Sequence, residues 1–466
     1  MYVGQSIKRR EDEKYLTGTG QFVDDVALSE NIAHAAYVRS PHPHANIVGI
    51  STERVLAMPG VLAVLIGKDW TDSGYGEAES IWPVKDMSGA PSRSVNRPFL
   101  AIDGVVRYVG ECVAMVVAED RYVAMDAAEA VDVEYEARPA NTVTAKALDA
   151  DTPLVHPALG TNMVLETTHG DKDAMEAAFA AAAHVTECIV PTNRVTAAPI
   201  EPRSYLGHYE ADRDHYTLWS TTQSPHLERR HLAASLKIPE HKCRVIAPDV
   251  GGGFGMKLYH YPEEPTVLWA SKIVGRPVRW TGTRSESQVS DTHARDHHTV
   301  GRIAFDADGK ILALSFETLA AFGAYESQFQ ASIANAYHYC LLSCGYDIDA
   351  IHTHVKSVYT HTTPVDAYRG AGRPEAVYQV ERLIENGAKE LGIDALDLRE
   401  QNLIPTAKFP YQTAVGITYD VADLPALYAS IREMSKYLDL RAEQTRLREA
   451  GTLMGIGSCC FFDMAG

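Results

Sequence analysis

Nothing in the chain approaches the run of about twenty apolar residues that a membrane-spanning helix needs. The opening, MYVGQSIKRREDEKYLTG, has basic residues but no apolar stretch behind them, so neither a secretory nor a twin-arginine leader is expected. Positive charge is in deficit. With 43 Lys and Arg against 61 Asp and Glu, the net charge of −18 weighs against unaided binding to nucleic acid or an anionic membrane. None of the seven cysteines belongs to a CxxC pair, and thiols scattered in this way suit a reducing compartment, so a cytoplasmic location is expected. Cys340 and Cys344 could share a helical face, but no His or Cys cluster accompanies them to complete a zinc site. The histidines at 293, 297, 298, 352, 354 and 361 lack HExxH spacing and are expected on a solvated strand face.

The 466 residues suffice for two or more domains with sizeable cores, and the patterning predicts an α+β (mixed α/β) fold. In the first third, CVAMVVAE (112–119) reads as a buried strand, RYVAMDAAEA as a helix and VDVEYEAR as a strand alternating apolar and acidic residues. Residues 137–162 are the best linker, followed by an Ala-rich helix beginning near Asp171. Further on, HYTLWSTTQ (215–223) predicts a strand, and Ser224 with Pro225 supplies the N-cap and first-turn proline of a helix running through Leu236. CRVIAPDV is the next strand, EEPTVLWASKIVG a helix closed by Gly275, and RPVRW a strand. After a strand in KILALSFETLAAFGAY, the stripe Ala376, Val377, Val380, Leu383, Ile384, Ala388 and Leu391 marks a helix with Pro374 in its first turn and Gly392 as its stop. A last amphipathic helix is expected over 424–438, and the apolar ending GIGSCCFFDMAG asks for a partner strand or a continuation.

The most informative stretch is IAPDVGGGFGMK (246–257). Glycine reaches positive φ cheaply and leaves peptide N–H groups bare for an anion such as a phosphate or an oxo group. Two common phosphate loops do not fit: Met256 separates Gly255 from Lys257 and Leu258 replaces the hydroxyl of a P-loop, while a dinucleotide fingerprint from Gly251 would end on Met256 instead of glycine. A tight strand-to-helix turn is the plain alternative. Two neighbours argue for a ligand: Gln223 at the mouth of a helix N-terminus, and a second glycine-flanked turn, Tyr368-Arg369-Gly370-Ala371-Gly372, at another.

These segments, with RREDEKYLTGTGQFVDD, YVRSPHPHANI, AMPGVLAVL, PIEPR (199–203), TTQSPH, GRPVRW, AYRGAGRPEA and LREQNLIP in the same order, resemble the molybdopterin-binding large subunit of the xanthine dehydrogenase, aldehyde oxidase and carbon monoxide dehydrogenase family. The resemblance implies an α/β hammerhead-like domain at 1–150, a first molybdopterin-binding domain at 151–420, and at 421–466 the start of a second, truncated or supplied by another chain. It implies hydroxylation of a substrate carbon with oxygen from water, two electrons leaving through two-iron two-sulfur clusters and FAD. The implied partners are an iron–sulfur small subunit, an FAD-binding medium subunit and a complementary C-terminal half, the cofactor being molybdenum–molybdopterin in its cytosine dinucleotide form. By motif, Gln223 resembles the glutamine that bonds an oxo ligand of molybdenum, Gly253 and Phe254 the nearby N–H donors, and Arg369 the arginine approaching the metal centre. Gly252, Gly255 and Gly370 complete the two cofactor loops. In plain structural terms Gln223 could be a satisfied polar residue, Arg369 could pair with Glu375 or Asp366, and Glu201 with Arg203 could be a simple ion pair.

Departures narrow the chemistry. Position 258 is leucine where purine-oxidising relatives carry a glutamate, and no Lys or Arg lies between Lys310 and Lys356, so xanthine is disfavoured. Gly370 stands in place of a copper-binding cysteine, which points to the glycine-loop, non-copper type. Leu258 and Ala371 are expected to line a pocket for an aldehyde or an N-heteroaromatic ring. The general-base glutamate of the family lies beyond this sequence, so a catalytic role is assigned to no residue, and a non-catalytic cofactor-binding or assembly module is the alternative function.

Overall fold

The computed structural model describes residues 2–78, 80 and 84–463. The architecture is mixed α/β, as the alternation of buried runs and amphipathic stripes predicts. In chain order the strands are β1 (Ala33–Arg39), β2 (Ala45–Ser51), β3 (Val61–Ile66), β4 (Val105–Val106), β5 (Cys112–Ala118), β6 (Asp132–Ala137), β7 (Met163–Gly170) and β8 (His184–Thr192). They continue as β9 (Ser204–Glu210), β10 (His215–Ser220), β11 (Cys243–Ile246), β12 (Val278–Thr281), β13 (His297–Phe305), β14 (Ile311–Gly323) and β15 (Ala350–Tyr359).

A seven-stranded sheet has the order β11-β10-β9-β12-β1-β5-β3. It joins early and late parts of the chain, because β1 runs parallel to β12 with Ala33 opposite Val278. β5 is buried along its whole length, as its unbroken apolar run predicts. Trp70, Trp269, Leu218 and Trp280 fill the core against this sheet. A five-stranded sheet, β7-β15-β14-β13-β8, packs against the Arg373–Leu391 helix, whose stripe of Val380, Leu383 and Ile384 is fully buried. β2, β4 and β6 form a third, small sheet.

The helix boundaries follow local chemistry. Asp171 accepts from the Ala174 N–H at the start of the Lys172–Ala181 helix, and Gly275 and Gly392 end theirs in the left-handed region. The stretch at 137–162 is more than a linker: buried Asn162 bonds Val155, Ala147 and Pro153, and the Asn141 N–H donates to His361 Nδ1.

Four expectations are corrected. His297, His352 and His361 are buried instead of solvated, since β13 and β15 are inner strands of the five-stranded sheet and His361, just past β15, is covered by the segment at Asn141. The strand from Cys243 stops at Ile246. The helix at 424–438 divides at Lys436, whose φ of 50° separates Leu424–Ser435 from Tyr437–Glu449. Cys344 lies past the helical turns with φ 45°, so it shares no helical face with Cys340. The terminal apolar stretch folds back: Cys460 is buried beside Gly345 and Phe462 stacks on Tyr419, while residues 464–466 lie outside the described residues. Among the described residues no helix is long and apolar enough to cross a membrane, and no three His, Cys, Asp or Glu side chains group to hold a metal ion.

Candidate cofactor site

Gln223 sits three residues past β10, just before the Pro225–Ser235 helix whose first position the proline fixes. Its backbone N–H donates to the Lys257 carbonyl at 2.9 Å, and its Oε1 accepts the Gly255 N–H at 2.9 Å. That bond sets the orientation of the carboxamide. With Oε1 engaged, the exposed Nε2 keeps its two hydrogens for another acceptor.

The glycine loop is shaped around this amide. A Cβ on Gly253 would collide with the Gln223 carboxamide, and one on Gly255, at φ +95°, would meet the Ala367 carbonyl at 2.9 Å. Phe254 has φ 55° and folds its half-exposed ring against Gly252. Among the described residues the N–H groups of Gly252, Gly253 and Phe254 donate to no protein acceptor. Bare N–H groups beside a free amide donor form an anion-receiving surface.

The second loop is bonded to the first. The Arg369 N–H donates to the Phe254 carbonyl at 2.8 Å, and Tyr259 Oη both receives the Ala367 N–H and donates to its carbonyl at 3.2 Å. Gly370 (φ +94°), Ala371 (φ +43°) and Gly372 (φ +87°) turn the chain into the Arg373–Leu391 helix. The Arg369 guanidinium is exposed and has no hydrogen bond or ion pair among the described residues. Arg295 takes Glu375 at 2.9 Å and the Arg369 carbonyl at 2.8 Å. Asp366 instead accepts the N–H groups of Phe329 and Ala367, and burial raises its pKa to about 6. Neither acid pairs with Arg369.

Leu258 packs beside Met256, Tyr259 and Tyr261 with Phe329 and Ala367 as neighbours, an apolar wall next to the seam between the loops. Ala371 is partly buried in the second loop. A cavity of about 600 Å³ opens beside Val250 and Gly251 and is lined also by Tyr15, Gly18 and Phe22. The other large cavity, about 570 Å³ between β1, β12 and the Arg121–Glu129 helix, shares no residue with either loop.

Glu201 and Arg203 do not pair with each other. Arg203 is fully buried, on Glu263 and on Asp291 at 2.7 Å, with the Tyr261 ring 3.7 Å away. Glu201 belongs to the glycine loop: its Oε2 accepts the Gly251 N–H at 2.7 Å and Lys257 Nζ at 3.0 Å. Sequence reasoning missed this role, and its only signal was the unpaired Lys257 closing a glycine cluster. Asp249 was also passed over. It accepts from Lys14, from Tyr15 and from the Gln21 N–H, tying the N-terminal segment to the start of the loop.

Two glycine turns bonded to each other, with N–H groups and a guanidinium left without protein partners among the described residues, suit an anionic group chemically. A family profile described as "Molybdopterin cofactor-binding domain" matches residues 155–403, and one described as "Aldehyde oxidase and xanthine dehydrogenase, a/b hammerhead domain" matches residues 17–139. The carbon monoxide dehydrogenase large chain of Afipia carboxidovorans is 34% identical over 100% of this chain and 58% of its own length. The nicotinate dehydrogenase large molybdopterin subunit of Eubacterium barkeri is 30% identical over 86% of this chain and 89% of its own length. In structure, quinoline 2-oxidoreductase from Pseudomonas putida 86 superposes with a TM-score of 0.89 at 33% identity, covering 97% of this chain and 56% of that one. The chain belongs to the molybdenum hydroxylase large-subunit family, with xanthine dehydrogenase, aldehyde oxidase and carbon monoxide dehydrogenase. It spans a little over half the length of the first of these relatives.

Proposed function

We propose that the chain is the N-terminal part of a molybdenum hydroxylase catalytic subunit, comprising a hammerhead-like domain (1–150), a first cofactor domain (151–420) and the start of a second (421–466). One observation carries this reading: two glycine turns are hydrogen-bonded together so that Gln223 Nε2, the Gly253 and Phe254 N–H groups and the Arg369 guanidinium all remain unspent along one seam. Those donor types fit a group presenting oxo and phosphate oxygens.

When bound, a molybdenum–molybdopterin group, in its cytosine dinucleotide form, supplies Lewis acidity and a two-electron sink for hydroxylation with oxygen from water. Gln223 donates from an amide whose other end is held by Gly255. Gly253 and Phe254 add backbone donors that need no reorganisation, and Arg369 brings a positive charge to the same seam. Gly252, Gly255 and Gly370 let the backbone approach closely. Leu258, Phe329 and Ala371 give the neighbouring surface an apolar character, which suits a neutral aldehyde or N-heteroaromatic ring better than the polar edge of a purine. Relatives named for nicotine and quinoline chemistry are in keeping with that choice. Gly370 carries no thiolate for copper, in keeping with a non-copper centre. A complementary molybdopterin-binding half would supply the general base, and an FAD-binding medium subunit and an iron–sulfur small subunit would accept the electrons.

Native purification with partners, followed by molybdenum and nucleotide analysis, tests the reading. Molybdenum and a cytidine nucleotide are expected, and the absence of both overturns it. A loaded complex without turnover on any aldehyde or N-heterocycle would favour a non-catalytic binding module. In an active complex, Gln223→Ala and Arg369→Ala should each lower turnover per molybdenum by about a hundredfold with folding unchanged.

A further inference from the structure

We infer that Glu201 is a positioning residue for the cofactor: a single side chain clasps both ends of the glycine loop and, through Lys257, sets where Gln223 stands. This rests on the molybdenum reading of the site.

Four hydrogen bonds tie residue 201 to the two ends of the loop. At the first end the Gly251 N–H donates to Glu201 Oε2 (2.7 Å) and the Glu201 N–H to the Gly251 carbonyl (3.2 Å). At the other end Lys257 Nζ donates to Glu201 Oε2 (3.0 Å) and to the Glu201 carbonyl (2.8 Å). The approach is so close that a Cβ on Gly251 would lie 2.5 Å from that of Glu201. The Lys257 side chain is completely buried. Burial alone would demand a counter-charge for it, but neutralisation does not explain why the same carboxylate oxygen also takes a backbone N–H from six residues earlier. A clasp does.

The effect reaches Gln223 in one step. The Lys257 carbonyl accepts the Gln223 N–H at 2.9 Å, and the Gln223 side chain accepts the Gly255 N–H from inside the loop. Moving Lys257 therefore moves both the amide and the N–H groups that surround it. Errors of about an ångström in such donors are costly to the reacting geometry.

The test uses the native assembly purified with its partners, carrying Glu201→Ala, Glu201→Asp, Lys257→Met or the Glu201→Ala/Lys257→Met pair. Each is measured for molybdenum content, for kcat and KM per bound molybdenum, for the electron paramagnetic resonance signal of the half-reduced metal, and for Tm. The Ala variant removes the one oxygen that both donors share, so the side chain holds neither end. Its kcat per molybdenum should fall about tenfold or more, with KM within about twofold and a shifted resonance signal. Lys257→Met should do the same, and the pair should be no worse than the worse single change, because both act on one linkage. Glu201→Asp separates the two explanations: it keeps the charge but loses reach, so a clasp predicts a partial loss and a mere counter-charge predicts none. The inference is overturned if the variants lose only Tm and metal content while the loaded fraction keeps its kcat and its signal, or if Glu201→Asp behaves as wild type. A wild-type assembly without molybdenum would instead sink the functional reading on which it rests.

Discussion

At the scale of single residues, the most deeply buried ion pairs near the site are not part of it. Arg203 has no exposed surface and divides its guanidinium between Glu263 and Asp291, while Arg39 reaches Glu263 from the other side. Burial by itself would raise the Glu263 pKa; the two arginines bring it down to about 2. Its stabilising effect is therefore complete above the ordinary glutamate range and is lost as pH falls toward 2. Replacing Arg203 by Met would strand the buried Asp291 carboxylate and leave Glu263 with Arg39 alone, and a loss of about 3–5 kcal/mol in urea unfolding is expected. Gly253→Ala should act oppositely in kind, displacing the Gln223 carboxamide. Its expected outcome is at least a tenfold drop in turnover per molybdenum, with a Tm shift of no more than about 2 °C. The place of Gln223 was legible in the sequence because Ser224 and Pro225 announce a helix start beside it. The Glu201–Lys257 linkage was not, because the partners are far apart in the chain and only tertiary closure brings them together.

Among the elements, those with strong local signals were readable. The Arg373–Leu391 helix has a proline near its start, a continuous apolar stripe and a glycine stop, and each agrees with its neighbours. The break at Lys436 had no such mark, since the apolar periodicity runs through it and a left-handed lysine is unusual. Lys436→Gly should remove that strain and raise stability by up to about 1 kcal/mol, read from the denaturation midpoint. The N-terminal segment offered a motif but no clue to its contact, because the pairing of Lys14 and Tyr15 with Asp249 is long-range. Asp249→Ala should release it, seen as faster amide hydrogen exchange at Gln21, whose N–H loses its acceptor.

For the whole molecule, buried imidazoles dominate the response to acid. Burial depresses the pKa of His260 and His361 to about 3 and of His156, His297 and His338 to about 4. The unfolded chain therefore binds more protons than the folded one between these values and the usual 6.5, so stability declines as pH falls through that window. Glu111 and Asp366, raised by burial to about 7 and about 6, work in the opposite direction, as do Glu77, Glu228, Glu264 and Glu326, also raised by burial, but these six are fewer than the eleven imidazoles that burial lowers. The urea midpoint is expected to be lower at pH 5 than at pH 7, and an equal or higher midpoint at pH 5 would contradict this balance. The seven-stranded sheet has a consequence of another kind. Because β1 finds its parallel neighbour in β12, deep in the stretch that the molybdopterin-binding profile matches, the opening segment is woven into the body that bears both glycine turns. A chimera that swapped only the first segment between relatives would have to re-form that seam from strands that never evolved together. The unit that can be exchanged intact is the sheet as a whole, with the glycine loop that follows β11 attached.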